Sequence, residues 1–444
     1  MSFLLKAQNT WENFAKYKIN DYAKLRNFDF GPNNESSVSK LSPFITHRIL
    51  SEYDVIHDIK RKYKIKNSTK FVEEIFWRVY WKGWMENRPK VWRNFISEND
   101  LDFDYELYES AINGTTELDF FNSWVHELKQ YNYLHNHTRM WFASTWIFNL
   151  GLPWQLGAKF FFKYLFDGDA ASNLLSWRWV GGLQTKGKQY LFSSSNLRKF
   201  SNNRFKVEKI SNQQIFLEES NQIPFEDEIY KNDMDPKSDN LIMFENDLHL
   251  ATLKNLLPSY KKVFIILLKN EQRQIKLSES VLKFKQDLVS EFVEQFDNVE
   301  QIDPYSLENN FKNTNEIDII YPGVGENYDF ITEFKNLHHK KIFNLVRDED
   351  LFAWKFAKKG FFKFKENIPK INQRIFENFL RFDDEKRYCF PFVCNPPTHL
   401  QLRRLDEASP SKRYLKKNFA PNCHGRPKLN IQVLANHILV WLCK

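Results

Sequence analysis

Near residue 240 the hydrophobic pattern of this chain changes period, and that change demands an architecture in two halves. Up to about residue 200, apolar residues recur at helical spacing. In "FVEEIFWRVYWKGWMENRP", Phe71, Ile75, Phe76, Val79 and Tyr80 share one helical face and Pro89 ends the run. "LDFFNSWVHELKQYNYL" and "PWQLGAKFFFKYLF" repeat the pattern. The next stretch turns acidic and polar, as in "EESNQIPFEDEIYKNDMDPKSDN", and reads as a linker or a long surface excursion. Beyond it, "NLIMFEND", "KKVFIILLK", "EIDIIYPG" and "KKIFNLV" are short β-branched runs, separated by helical stretches such as "SESVLKFKQDLVSEFVEQF". Strands alternating with helices predict a parallel sheet with βαβ connections.

The expected organisation is therefore an all-helical part over 1–205, an acidic linker over 206–240, a Rossmann-like α/β part over 241–385 and a basic tail over 386–444. A chain of 444 residues that is 42% hydrophobic and 16% aromatic can build large cores and aromatic pockets. Its formal charge of +8 permits contact with nucleic acid or anionic lipid without requiring it. No apolar run approaches the roughly 18 residues of a spanning helix, and the N-terminus has no secretory pattern, so a soluble, cytoplasmic protein without membrane contact is expected. All four cysteines, Cys389, Cys394, Cys423 and Cys443, lie in the tail at spacings that match no usual CxxC pair. Free thiols are the plainer reading and a zinc site with His399 or His424 the alternative. From Cys389 onward, nine Lys/Arg face only Asp406 and Glu407, which suits a nucleic-acid tail or an extension with little order of its own. The Gly323-Val324-Gly325 turn follows a strand but lacks the full dinucleotide fingerprint, leaving a plain turn or a nucleotide role.

Residues 135–179 hold five tryptophans among polar groups that do not suit a plain core. On a helix, Asn136, Arg139 and Met140 of "NHTRM" fall at i, i+3 and i+4 and share a face. An amide, a cation and a thioether make a suitable wall for a polar aromatic ligand; a surface turn is the other reading. Glu74, Trp77 and Arg78 of "EEIFWR" show the same spacing, either as a pocket edge or as an ordinary salt-bridged amphipathic helix. In "DGDAASNLLSWRW", Asp167 and Asp169 flank a glycine between helices, and Trp177 and Trp179, two apart, must point in different directions.

These stretches resemble the flavin-binding domain of the DNA photolyase and cryptochrome family. The family's "E-L-x-W-R-E-F-Y", "H-N-R-x-R-M" and "D-G-D-x-A-x-N-x-x-x-W-x-W" appear as "EEIFWRVY", "HNHTRM" and "DGDAASNLLSWRW", and "KLSPFITHRILS" resembles its phosphate-binding "R-L-S-P-Y-L-x-x-G-x-L-S". The resemblance covers roughly residues 20–205. It implies FAD as cofactor, held by Tyr22, Ser39, Lys40, Leu41, Ser42, Phe71, Arg78, Asn136, Arg139, Asp167, Asp169 and Asn173. Arg139 and Asp167 would pair against the flavin ring and Asn173 would face its N5. Glu74, Trp77, Asn136, Met140 and Trp179 correspond to residues that grip a flipped-out cyclobutane pyrimidine dimer. Trp177 and Trp154 match the inner and middle members of an electron-transfer chain, with Leu101 where the outer tryptophan should stand. No metal is implied. The expected activity is light-driven dimer repair by a monomeric lyase acting on DNA, with a cryptochrome-like blue-light receptor as the alternative.

Departures accompany the match. Asn122 replaces an aspartate, Lys40 an arginine, Arg48 a glycine, and His137 an arginine that would touch DNA phosphate. The loss of that contact favours single-stranded over duplex lesions, since flipping a base out of a duplex costs a few kcal/mol. "LIMFENDLHLATL" resembles the opening of the family's antenna domain, here placed after the flavin domain instead of before it. Whether that part binds a second, antenna chromophore is not legible in the sequence.

Overall fold

The structure is a computed structural model that describes residues 1–384 apart from 64–65, 99, 186, 206, 208–209, 211, 214, 219–222 and 227–233. Two compact units divide the chain, Met1–Glu377 with Leu439–Lys444, and Asn378–Ile438; the description below concerns the first. The cysteines, His399, His424 and the rest of the expected tail over 386–444 lie outside the described residues.

Among the described residues, twelve α-helices form the first half in chain order: α1 (Phe3–Tyr17), α2 (Tyr22–Leu25), α3 (Ser42–Thr46), α4 (Glu52–His57), α5 (Thr69–Glu86), α6 (Lys90–Ser97), α7 (Tyr105–Asn113), α8 (Asp119–Tyr131), α9 (Asn136–Phe148), α10 (Trp154–Tyr164), α11 (Ala170–Val180) and α12 (Ser194–Phe200). Their starts follow local chemistry. Ser51 and Asp54 form a capping box at α4, and the side chains of Asp104, His135 and Asp169 cap α7, α9 and α11. Every residue of α9 is buried, its polar Asn136, His137, Thr138, Arg139, Ser144 and Thr145 included. α5 and α11 are nearly as buried, and α11 packs on both α5 and α9. The polar groups of these three helices therefore face protein, not water. Among the described residues, none of the stretch between Phe200 and Asn240 is helix or strand.

The second half holds β1 (Asn240–Phe244), α13 (Leu250–Leu256), β2 (Lys262–Ile266), α14 (Glu279–Val293), β3 (Val299–Ile302), α15 (Leu307–Asn310), β4 (Glu316–Ile320), α16 (Glu326–Leu337) and β5 (Lys341–Leu345). The sheet is wholly parallel in the order β3-β2-β1-β4-β5, the doubly wound arrangement expected. Ile242, Phe264, Ile266, Ile317 and Ile319 meet Phe311, Ile331 and Phe334 in its core. The strand pattern in the sequence revealed four of the five strands. β3 reads "VEQI", an edge strand whose Glu300 and Gln301 are exposed, so it lacks an apolar run.

After the sheet come α17 (Asp348–Trp354), α18 (Phe361–Lys365) and α19 (Ile368–Asp384). α17 and α18 pack on α5. Buried charges fasten the halves together. The Arg48 guanidinium bonds Asp247 at 3.3 Å and also Asp350, which accepts from Tyr53 Oη at 2.9 Å. Arg347 binds Asp247 through two bonds of 2.9 and 2.5 Å. Arg48 adopts φ 51°, a left-handed conformation that costs a non-glycine residue about 1 kcal/mol; the two carboxylates it reaches offset that cost.

Close approach also constrains Gly83 on α5, where an added Cβ would lie 2.6 Å from the Trp354 ring of α17 and 2.9 Å from Ala357. Gly83→Ala should therefore destabilise the protein by about 1–3 kcal/mol through overpacking, despite alanine's better helix propensity. Urea unfolding measures this; an unchanged or raised midpoint would show that α17 is not held against α5.

Candidate functional site

A small cavity of about 20 Å³ lies between α2, α3, α5 and α9, lined by Tyr22, Ser39, Leu41, Ser42, Phe71, Arg78 and Asn136 together with Val38, Ile45, Glu52 and Ile75. Seven residues expected to hold FAD thus converge from four separate stretches of sequence. Lys40 does not line the cavity. It is exposed, at φ 55°, with its ammonium 5.8 Å from the Tyr133 ring centre.

Asp167 organises the floor beside the cavity. It forms a bidentate ion pair with Arg139, both bonds at 2.9 Å, and both side chains are inaccessible to water. The Ser42 hydroxyl donates to the same carboxylate and Thr46 Oγ1 to the Asp167 carbonyl at 3.3 Å, so α3 is tied to the turn before α11. Arg139 Nε donates to the Leu134 carbonyl at 2.9 Å. Beside this pair, Arg78 contacts Glu52 at 3.2 Å and Asp169 at 3.1 Å and donates to Thr46 Oγ1 at 2.7 Å. Asp169 Oδ1 also caps α11 by accepting from the Ser172 amide at 2.9 Å. Burial opposes the charge on Glu52, yet Lys82, Arg48 and Arg78 hold its carboxyl down to about 2.

Two amides in this region are incompletely satisfied. Neither the Nδ2 nor the Oδ1 of Asn136 has a hydrogen-bond partner, although the residue is only 4% exposed and lines the cavity. Asn173 Nδ2 donates to the Ala158 carbonyl at 3.0 Å while its fully buried Oδ1 is unpaired. A buried amide without partners is destabilising by about 1–3 kcal/mol, so these groups point to a polar ligand that completes them. In residue type the lining suits FAD: hydroxyls and a cation for phosphates and ribose, apolar walls from Phe71, Leu41 and Ile45, and the unpartnered Asn136 amide; a ligand of that size enters only as the side chains around this small cavity move apart.

The residues expected to grip a lesion are placed less openly. Glu74 is fully buried. It accepts from the Tyr22 hydroxyl, pairs with Arg26 at 3.1 Å and lies 3.8 Å from Lys70. Burial pushes it up to about 8 against the pull of Lys70, Arg26 and Tyr22. Met140 is buried in α9. Trp77 lies under Phe361 of α18, ring centres 3.6 Å apart and nearly parallel. Trp179 is partly exposed and stacks on Tyr190 at 5.8 Å. Asn136 and Tyr22 line the cavity and Glu74 lies behind Tyr22, whose hydroxyl it accepts from, whereas Trp77 and Trp179 each have a protein ring as partner. His137 is 2% exposed, packed on Trp141 and Phe200, and burial lowers it to about 3. It is a neutral core residue and offers no phosphate contact.

Trp177 is fully buried; Gly157 leaves it room, since a Cβ there would stand 2.3 Å from the indole. Trp154 stacks on Phe95 at 5.8 Å. The Gly323–Gly325 turn, with φ of 78° and 153° at its glycines, leads from β4 into α16. Its Val324 amide donates to Glu86 at 2.9 Å, and Tyr321 Oη donates to the same carboxyl at 2.6 Å. A carboxyl of this chain, pushed up to about 7 by burial, thus fills the position an anionic ligand would take. Among the described residues no group of His, Cys, Asp and Glu could hold a metal ion, and no helix is long and apolar enough to cross a membrane.

Sequence reasoning missed Glu52, Thr46 and Arg26. Glu52 and Arg26 sit in stretches that read as ordinary charged surface, and Thr46 is marked by nothing but its place in "SPFIT".

Residues 71–222 match the family described as the FAD binding domain of DNA photolyase. Similar curated proteins include the deoxyribodipyrimidine photo-lyase of Buchnera aphidicola subsp. Baizongia pistaciae, 28% identical over 193 residues, covering 40% of this chain and 38% of that one. That of a Thermus thermophilus strain is 29% identical over 183 residues, covering 40% and 42%. Among solved structures, a bacterial class III photolyase from Agrobacterium tumefaciens aligns at 24% identity and a TM-score of 0.40, covering 45% of this chain and 42% of that chain. A Synechocystis sp. PCC6803 cryptochrome aligns at 20% and 0.40, covering 45% and 43%. Residues 71–222 of the helical half are thus similar to the FAD-binding domain of the photolyases, the resemblance that the motifs carry. The chain spans about two fifths of the length of the curated relatives it matches.

The elevated Glu74 carboxyl has a measurable consequence. A carboxyl whose folded value exceeds its unfolded one binds extra protons in the folded state, so stability falls as pH rises from 4.5 through about 8. Glu74→Gln, which cannot ionise, should flatten that fall in urea unfolding midpoints. An unchanged slope would show that Glu74 is already ionised at neutral pH.

Proposed function

We propose that the protein binds FAD in its helical half and uses light to split cyclobutane pyrimidine dimers in DNA. The unpartnered Asn136 amide at the cavity, one helical turn before Arg139 of the Asp167–Arg139 pair, is the observation that carries this reading. Ser39 supplies a hydroxyl donor for the phosphates, the Tyr22 and Ser42 oxygens, whose protons go to Glu74 and Asp167, can accept from the ribose hydroxyls, and the Asn173 Oδ1 supplies an acceptor at the ring. When bound and reduced, FAD would supply on light excitation the electron that opens the cyclobutane and would take it back once the two pyrimidines have separated. The protein's part is to hold the two partners close, exclude water and keep a proton on Glu74 for hydrogen bonding to a thymine carbonyl. Trp179, stripped of Tyr190, offers an indole face for stacking on a base. The division into a flavin domain over 1–205, a linker over 206–240 and an α/β part over 241–385 belongs to this proposal, as does action as a cytoplasmic monomer.

One observation favours the second reading, a blue-light receptor without repair: Phe361 occupies the Trp77 face against which a flipped base would stack. An offset or parallel aromatic pair contributes about 0.5–1.5 kcal/mol beyond its buried area, so exchanging a protein ring for a nucleobase there is nearly balanced. Phe361→Ala should raise affinity for ultraviolet-irradiated oligothymidylate under the repair reading, measured by fluorescence anisotropy. Unchanged affinity would support the receptor.

The direct test is repair of irradiated oligothymidylate by dithionite-reduced protein under blue light. Recovery of thymine absorbance, lost in Glu74→Ala, is expected; bound FAD without recovery would exclude the repair reading. The buried His137 also predicts tighter binding to single-stranded than duplex lesions at matched salt, and equal affinities would contradict it.

A further inference from the structure

One layer of chain separates the small cavity from a groove of about 600 Å³ that opens to water. Val38 and Ser39 line the cavity, while Ser36 and Ser37, next to them in sequence, line the groove. The α2 turn divides in the same way, with Tyr22 in the cavity wall and Asp21 and Leu25 in the groove wall.

Residues 31–40 of that layer are built as a hinged strap. Both ends are fixed to buried carboxylates. Before it, Asp29 is 3% exposed and accepts from Thr138 Oγ1 of α9 and, at 3.0 Å, from Arg204; its own amide donates to the Phe200 carbonyl at 2.8 Å. After it, the Ser42 hydroxyl donates to Asp167. Just inside each anchor stands a residue with left-handed backbone, Gly31 at φ 93° and Lys40 at φ 55°. Glycine takes that conformation freely and lysine only under strain. Such positions absorb the dihedral change of a hinge. Between them little holds the strap down. Among the described residues, the backbone of 30–40 makes no backbone hydrogen bond outside the segment. Its polar ties to the neighbouring helices are two. Tyr131 Oη of α8 donates to Asn33 at 3.1 Å, and the Lys18 ammonium, just after α1, donates to the Ser36 carbonyl at 3.0 Å and pairs with Glu35 at 3.0 Å. The Glu35 side chain is 85% exposed, so water and salt readily loosen that pair.

Resting on the FAD reading, we infer that residues 31–40 swing outward on Gly31 and Lys40 to admit the cofactor, with Lys18 as the latch. Opening joins the cavity to the groove and yields a cleft in the size class of cofactor sites, about 300–1,000 Å³. Closing returns Val38 and Ser39 to the wall and excludes water. The body need not unpack, because Asp167, Arg139 and Arg78 keep α3, α5 and α9 tied together.

Two measurements on the full-chain apoprotein and its Lys18→Met variant test this. Stopped-flow quenching of FAD fluorescence gives the association and dissociation rates. A latch resists opening in both directions, so both rates should rise together in Lys18→Met, by about two- to fivefold, with the dissociation constant nearly unchanged. Lys16→Met, which removes the exposed partner of Glu12 on α1, is the control and should leave both rates as they are. Hydrogen exchange read by mass spectrometry reports opening without cofactor. Exchange over 31–40 should be faster than in α9, faster again in Lys18→Met, and slowed once FAD binds. Unchanged rates in Lys18→Met, or a rise in dissociation alone, would overturn the strap. FAD uptake with exchange over 31–40 as slow as in α9 would fail the strap and leave the FAD reading standing. No FAD uptake, with fast exchange over 31–40 that responds to Lys18→Met, would fail the FAD reading and leave the strap.

Discussion

The helical half depends on one buried carboxylate. Asp167 has no access to water, and an isolated charge in that position would be prohibitive. The bidentate Arg139 pair and the Ser42 hydroxyl make it tolerable. Those partners come from α9 and α3, so satisfying Asp167 fixes α3, α9 and the turn before α11 relative to one another. The cavity is the space these elements leave against α5. A buried pair of this kind adds little net stability over well-packed apolar residues, but loss of one partner is expensive. Its value here lies in the position it imposes on Asn136, Arg78 and Asn173.

The second charged knot joins the halves. Arg48 leaves the helical part in a strained backbone conformation and reaches Asp247, just after β1, and Asp350 on α17, after β5. Glu86 fills the glycine turn after β4, and Trp92 Nε1 donates to Asp329 of α16 at 2.7 Å. A helical half that precedes its sheet in sequence is therefore not loosely tethered to it. The same packing brings α18 onto Trp77, which links the arrangement of the two halves to the accessibility of the proposed lesion site.

Sequence could reveal the parts of the site that violate local rules. Asn136 and Arg139 on a helix otherwise suited to a core, and two aspartates around Gly168, are discordant with burial, and that discord marked them. Hydrophobic period gave both halves and four strands. What it could not give were contacts between distant stretches. Glu52 and Asp350 look like surface acids until Arg78 and Arg48 are folded against them. Phe361 looks like one more aromatic in "GFFKF" until it lies on Trp77. His137 reads as a weakened phosphate contact, whereas the fold uses it as a neutral packing residue between Trp141 and Phe200. In each case the missing information is tertiary, and charge or hydrophobicity alone does not encode it.

The central claim is that the cavity beside Asp167 exists to hold FAD, and Asn136 tests it most directly. In the unliganded protein its amide is a liability, so Asn136→Leu should leave apoprotein stability unchanged or raised. Titration of FAD into apoprotein, followed by calorimetry beside urea unfolding, reads both quantities at once. The account predicts weakened FAD binding with no loss of stability. Undiminished FAD affinity in Asn136→Leu would contradict it.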